Sequence, residues 1–241
     1  MDVVYLVKNN PKNNSEELRY SLRSLANIPH GTVYLVGEKP DWVTNVTYLP
    51  VEQNLTKPEN VRANMRAAAE CDTLSDDFIL MNDDFFFMKP ITSLPQYNFG
   101  PMQKVIESFD NRYPEGSEYI ATMKNLYEVL KKKGIVNPLS YELHIPMVLS
   151  KLRILNLYNV VEGPTYQFRT YYGNYYKLMG TTVDDVKLFL NSEHNDAAYV
   201  EDYKKFVERQ TFLSVTGGAF QRGLPGEYIR SVFSQPSMYE K

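Results

Sequence analysis

Two β-branched, mostly apolar pentads, Val3-Val-Tyr-Leu-Val7 and Thr32-Val-Tyr-Leu-Val36, flank one amphipathic helical stretch. That spacing is the usual length of a parallel strand–helix–strand crossover, and it restricts the fold more than any other feature. In the intervening helix Leu18, Leu22 and Leu25 recur at i, i+4, i+7 and make a buried stripe. Asn14, followed three residues on by Glu17, reads as its N-cap. Val46-Thr-Tyr-Leu49 is a shorter third strand, and Trp42 before it is a core anchor. Asn60 to Glu70 is alanine-rich and helical, with Ala63, Ala67 and Ala68 small enough to let it lie close to a sheet.

The run Phe78-Ile-Leu-Met81 then enters Asn82-Asp83-Asp84 and an aromatic block. A short continuous apolar run fits a strand covered on both faces. Carboxylates at its carboxyl end emerge where open α/β sheets bind ligands. Two adjacent anionic oxygen donors suit Mg²⁺ or Mn²⁺, and such an ion in turn suits a nucleotide diphosphate. The same Asp pair also fits a turn or a helix cap. No Gly-x-Gly-x-x-Gly and no P-loop sequence occurs, which argues against the common dinucleotide and P-loop folds.

Other polar residues gather around this framework. Lys8 opens the loop after the first strand. Arg19 and Arg23 form a ridge beside the leucine stripe, either solvated or placed to clamp phosphates. Asn60 and Asn64 share one face of the second helix, and Arg62 and Arg66 another. Residues 91–116 read as irregular, with Pro95, Pro101 and Pro114, and Ser117 to Lys133 as a helix ending in a basic turn and Gly134. His144 precedes Ile145-Pro146, where proline suits the first turn of a further helix. It is either a structural histidine or a general base or phosphate contact. From Tyr158 to Tyr176 aromatics crowd around Arg169 and Asn174, either as core or as a stacking surface for a base or sugar. Thr182 to Leu190 and Val200 to Phe212 read as amphipathic helices, with His194 and Asp196 between them as further candidate metal ligands.

A chain of 241 residues with 43% hydrophobic and 23% charged residues is long enough for one large domain. It divides into a nucleotide-binding α/β half, 1–92, and a mostly helical acceptor-side half, 93–241, packed on the same core. A net charge of −3 argues against bulk electrostatic binding of nucleic acid, although the lysine runs at 131–133 and 204–205 offer a local groove. The one cysteine, Cys71, excludes an internal disulfide and a multi-cysteine zinc site. With no signal-peptide pattern and no run of about 18 apolar residues, the chain reads as cytoplasmic, with no membrane span.

Glu17-Leu-Arg-Tyr-Ser-Leu-Arg-Ser-Leu25, Val33-Tyr-Leu-Val36 with Pro40-Asp-Trp42, and Leu80-Met-Asn-Asp-Asp-Phe-Phe86 together resemble the Stealth family of sugar-phosphate transferases. Tyr141-Glu-Leu-His144 with Pro146, and Phe168-Arg-Thr-Tyr-Tyr-Gly-Asn174, look like later blocks of that family. Pro236-Ser-Met-Tyr-Glu240 is similar to the ending of small phage-encoded glycosyltransferase-like proteins. The family's first block survives only as Asp2-Val-Val-Tyr5, which leaves transfer of a sugar and transfer of a sugar phosphate both open.

The resemblance implies a Rossmann-like, GT-A-like α/β fold and a metal-dependent transferase taking a nucleotide-activated sugar such as a UDP-sugar. Asp83 and Asp84 would hold Mg²⁺ or Mn²⁺. Lys8, Arg19, Arg23, Arg62 and Arg169 would meet phosphate, and Asn64, Asn82 and Asn174 would meet ribose or sugar hydroxyls. His144 would act on the acceptor hydroxyl or contact the phosphoryl group. The acceptor is a hydroxyl, on a glycan or on a hydroxymethylated base of phage DNA, the latter in the host cytoplasm. A metal-dependent phosphoesterase and a non-catalytic sugar- or nucleotide-binding module use the same residues and stand as rivals.

Overall fold

The computed structural model describes residues 1–113, 115–160, 167–189 and 197–241. In chain order these form β1 (Asp2–Val7), α1 (Glu16–Ser24), β2 (Val33–Gly37), β3 (Thr47–Pro50), α2 (Lys57–Glu70), β4 (Asp77–Met81) and β5 (Phe85–Phe87). Then come the two-residue strands β6 (Tyr97–Asn98) and β7 (Gly100–Pro101), followed by α3 (Met102–Arg112), α4 (Glu118–Lys132), β8 (Leu139–Ser140), β9 (Met147–Ser150), α5 (Lys151–Val160) and α6 (Phe168–Tyr175). The chain finishes with β10 (Thr181–Thr182), β11 (Lys187–Leu188), α7 (Ala197–Arg209), β12 (Phe212–Val215), α8 (Gly217–Arg222) and α9 (Leu224–Val232).

Among the described residues the central sheet is ordered β3-β2-β1-β4-β9. It is parallel except for β9, which runs antiparallel to β4 along one edge. The fold is therefore α/β, with a mostly parallel sheet flanked by helices. Successive strand residues point to opposite faces. Val4, Tyr34, Val36, Phe78 and Leu80 join one core with Met65 and Ala68 of α2 and with residues of α3 to α6. Val3, Tyr5, Leu35, Ile79 and Met81 join a second core with Leu18 and Leu22 of α1 and with Trp42. Burial on both faces explains why these strands are apolar runs rather than alternating ones.

A third core lies beyond the second. Phe86 packs with Leu213, Phe220 and Ile229, whereas its neighbours Phe85 and Phe87 face the second core. The aromatic block is thus a strand squeezed between two apolar layers, and β5 pairs with β12, which in turn pairs with β11. Where the parallel strands β1 and β2 end, Gly37 adopts a φ of 113°, and a Cβ there would lie 2.2 Å from the carbonyl oxygen of Val7. Only glycine fits that approach.

Several local expectations are corrected. Residues 91–116 contain a helix, α3, because Met102, Val105 and Ile106 make a buried i, i+3, i+4 stripe directly after Pro101. Pro146 leads into an edge strand, β9, whose alternating burial gives a period of two. The stretch from Thr182 is not helical: Thr181–Thr182 pairs with β6, and Lys187–Leu188 pairs with β12. Strand pairing overrides a short, weakly amphipathic pattern there. The helix expected from Val200 spans Ala197–Arg209, and Phe212 opens β12 instead. At the start of α1 the capping position is Ser15, left-handed at φ 49° like Asn14 before it, and its hydroxyl donates to Asn9 Oδ1. His194, Asp196 and Pro114 lie outside the described residues.

The arginine ridge on α1 is also reassigned. Arg23 grips both carboxylate oxygens of Glu240 at 2.7 Å, and Arg19 reaches the same carboxylate at 2.8 Å while its guanidinium lies 4.1 Å above the Trp42 ring. These arginines fasten residues 234–241 onto α1, helped by a bridge between Val43 and Glu240. Burial alone would raise the Glu240 carboxyl, but bonds from Arg23, Ser237 and Arg19 outweigh it and hold the group at about 2. A carboxylate depressed in the folded state stabilises the fold above its unfolded value, and the contribution is lost as pH falls toward the folded value. Glu240→Gln should therefore cost about 1–3 kcal/mol at pH 7. In thermal melts the gap from the parent protein should close between about pH 4.5 and pH 2. A gap independent of pH would deny the clasp its ionic character.

Candidate functional site

In the strand order, β2 and β3 lie on one side of β1 and β4 on the other. The connections reverse direction between β1 and β4, and a crevice opens outside the carboxyl ends of such a pair. A cleft of about 850 Å³ lies there. Lys8 follows β1 into it, and Asn82, Asp83 and Asp84 follow β4. Glu17 enters from α1, Glu142 and His144 from the loop before β9, Arg169 from α6 and Lys187 from β11.

The two aspartates occupy a tight turn closed by a bond from the Phe85 amide to the Asn82 carbonyl. The chain changes sheets at this turn, leaving β4 in the central sheet and entering β5 in the small one. Asp84 Oδ2 accepts from Lys187 Nζ at 2.7 Å and from Ser214 Oγ at 3.2 Å. The strand register produces this contact, since Lys187 pairs with Ser214 and Ser214 with Phe85. Asp83 differs from its neighbour. Burial first, and then the charges of Asp84 and Glu17, push its carboxyl up to about 7. Glu17 is raised as well, chiefly by burial, despite a bond of 2.8 Å from Asn13.

Across the cleft His144 Nδ1 lies 2.6 Å from Asp185 Oδ2, and the other oxygen of Asp185 accepts the His144 and Val186 amides. Burial opposes ionisation of Asp185, yet the imidazole and these amides hold it below the usual carboxylate range. An Nδ1–H donated to a carboxylate fixes the tautomer and leaves Nε2 as the basic nitrogen. Arg169 secures the same loop from beneath: its Nη1 donates to the carbonyls of Leu143 and Ile145, which flank His144. The guanidinium lies over Phe85, next to the aspartates, and its buried Nη2 has no hydrogen-bond partner. Glu142 is raised by burial, which the charge of Arg169 opposes, and it accepts the Thr170 amide.

Of the residues singled out from the sequence, Lys8, Asn82, Asp83, Asp84, His144 and Arg169 line this cleft. The others are engaged elsewhere. Arg19 and Arg23 hold Glu240. Arg62 lies over the Tyr158 ring at 4.3 Å. Asn64 bonds Gln53 under the loop after β3. Asn174 brackets Leu139 through its backbone amide and carbonyl, so it supports β8. Among the described residues of the tyrosine-rich segment, Phe168, Tyr171 and Tyr172 are core, with Tyr158 and Tyr176 packed against them. Glu142, Asp185, Lys187 and Ser214 were missed. Glu142 adjoins His144 in the Tyr141–His144 block, so proximity was a usable signal, whereas Asp185 and Lys187 lay within a stretch read as helix.

The donor chemistry suits a hard divalent cation. Asp83 and Asp84 offer neighbouring oxygens, and Asp83 sits in a local deficit of positive charge. Among the described residues no third histidine, cysteine or acid comes close enough to complete a three-ligand metal group with them, although Glu17 lines the same cleft. In the metal-free protein that deficit is a stability cost. Below about pH 4 both folded and unfolded chains hold the Asp83 proton. Between there and about pH 7 only the folded chain does, so stability falls as pH rises. Asp83→Asn should stabilise the metal-free protein by about 4 kcal/mol at pH 8 and by less than about 1 kcal/mol at pH 4. Chemical denaturation at both values, with chelator present, checks this.

No family profile and no curated protein matches the sequence. Solved structures do. An active-site mutant of LgtC is 13% identical, with a TM-score of 0.49 over 99% of this chain and 97% of that one. The galactosyltransferase LgtC with donor and acceptor sugar analogues is 12% identical, with a TM-score of 0.46 over 99% and 97%.

Proposed function

We propose that the chain is a glycosyltransferase that takes a nucleotide-activated sugar and passes the sugar to a hydroxyl. One observation carries this reading: paired acids after β4, Lys8 after β1 and an oriented His144–Asp185 couple all line one cleft at the switch point. Acids and cations side by side suit a ligand that carries both a diphosphate and many hydroxyls.

Asp83 and Asp84 would hold Mg²⁺ or Mn²⁺, which supplies positive charge to the departing diphosphate. The protein's own groups do the rest. Lys8 is a donor for phosphate oxygens, and the buried guanidinium of Arg169 adds fixed positive charge beneath the His144 loop. Asn82 presents an amide to ribose or sugar hydroxyls. His144 Nε2 removes the acceptor proton as the new bond forms, and Asp185 holds the ring in place and steadies the imidazolium that results. The abundance of acids in the cleft, Glu17, Asp83, Asp84 and Glu142 among them, favours an uncharged glycan hydroxyl over a DNA base. Transfer of the whole sugar phosphate, as the Stealth resemblance suggests, would leave a nucleoside monophosphate instead of a diphosphate.

Nucleotide sugars screened by thermal shift with and without Mn²⁺ identify the donor, and chromatography of the released nucleotide separates the two transfers. Asp84→Ala should fold and lose at least a hundredfold of turnover, as about 2.7–4 kcal/mol of charge stabilisation implies. Near-normal turnover of that variant would remove the assignment. Nucleotide-sugar cleavage that ignores every acceptor offered would point to a phosphoesterase. Asp185→Asn tests the couple: kcat should fall by roughly ten- to a hundredfold with little change in donor KM, because general-base assistance is worth about 10²–10⁴ in rate.

A further inference from the structure

Lys187 sits where a cation bound to Asp84 would have to compete with it. Its ammonium is 2.7 Å from Asp84 Oδ2, and Ser214 holds the same oxygen. Both partners are largely shielded, with side-chain exposures of 16% for Lys187 and 18% for Asp84. The lysine is borne on a strand whose register sets it opposite the acid turn, so the contact is built by the sheet rather than by a wandering surface chain. Lys187 also lines the cleft that would take the diphosphate proposed above.

We infer that Lys187 is a resident counter-ion, which occupies the cation seat in the ligand-free protein and must leave Asp84 before a divalent ion can take it. An ammonium released from a carboxylate inside a partly dry cleft needs a new anion, because an unpaired buried charge is costly. The donor's diphosphate is the anion at hand. Metal alone must therefore displace Lys187 without compensation, whereas metal arriving with the diphosphate exchanges one ion pair for two. The two ligands become thermodynamically coupled through this one side chain, and the coupling acts equally in both directions. The inference rests on the reading of Asp83 and Asp84 as cation ligands.

The test is calorimetric titration of metal-free protein with Mn²⁺, alone and with saturating UDP, for the parent protein, Lys187→Met and Lys187→Arg. Removing the ammonium should tighten Mn²⁺ binding in the absence of UDP by tenfold or more and should shrink the improvement that UDP brings. Lys187→Arg keeps the charge and should stay close to the parent protein. Mn²⁺ affinity that is unchanged or weaker in Lys187→Met, when the parent binds measurably, overturns the inference and leaves the cation site standing. Absence of binding in every protein, with and without UDP, overturns the cation site and the inference together. Should Lys187→Met be unstable without metal, its melting temperature with and without Mn²⁺ gives the same decision: a larger metal-induced rise than in the parent supports the inference, and an equal or smaller rise overturns it.

Discussion

Burial of carboxylates in one cleft, with their mutual repulsion added to it, is the constraint around which this protein is arranged. Glu17, Asp83 and Asp84 are drawn into one poorly solvated cleft, although like charges in such surroundings resist ionising together. The fold overcomes that resistance with apolar burial on three levels. β4 is covered on both faces, and β5 is wedged between the second and third cores, so the acid turn between them has little freedom to open outward. Hydrogen bonds add register: the Ser21 hydroxyl accepts from the Tyr5 hydroxyl while donating to the Phe85 carbonyl. Stability gathered across the molecule is thus concentrated as electrostatic strain at one point. That is how binding sites are commonly built, since a ligand relieving the strain gains affinity.

The opposite wall is made differently. The loop bearing His144, between β8 and β9, has no regular structure of its own and depends on side chains for its shape. Arg169 spans the carbonyls on both sides of the histidine, and Asp185 takes both the ring and the amide of the same residue. One wall is positioned by strand register and the other by a hydrogen-bonded cage. Phe85 joins the two walls, lying under the Arg169 guanidinium and packing edge-on against the His144 ring.

The parallel half of the fold was legible because its signals are local. Apolar runs of strand length, an i, i+4, i+7 leucine stripe and an acid pair directly after a buried strand all report on their own neighbourhood. The second half was less legible for a physical reason. β10 and β11 are two-residue strands defined only by partners that are themselves distant, at Tyr97–Asn98 and Ser214–Val215. No periodicity in two residues announces a strand. Lys187 and Asp185 were lost for that reason, while Arg19 and Arg23 were misjudged because Glu240 lies more than two hundred positions away. Conversely, Asp83, Asp84 and His144 could be picked out by their chemistry, and the topology brings all three to one cleft.

The grip of α1 on Glu240 has a bearing on how the molecule is made. Synthesis proceeds from the N-terminus, so the first helix leaves the ribosome long before its charged partner exists. Until residues 234–241 have emerged, Arg19 and Arg23 lack the carboxylate that joins them in the finished protein. The early sheet and the leucine stripe of α1 can assemble on the nascent chain, but the ionic clasp forms only once Glu240 has been made.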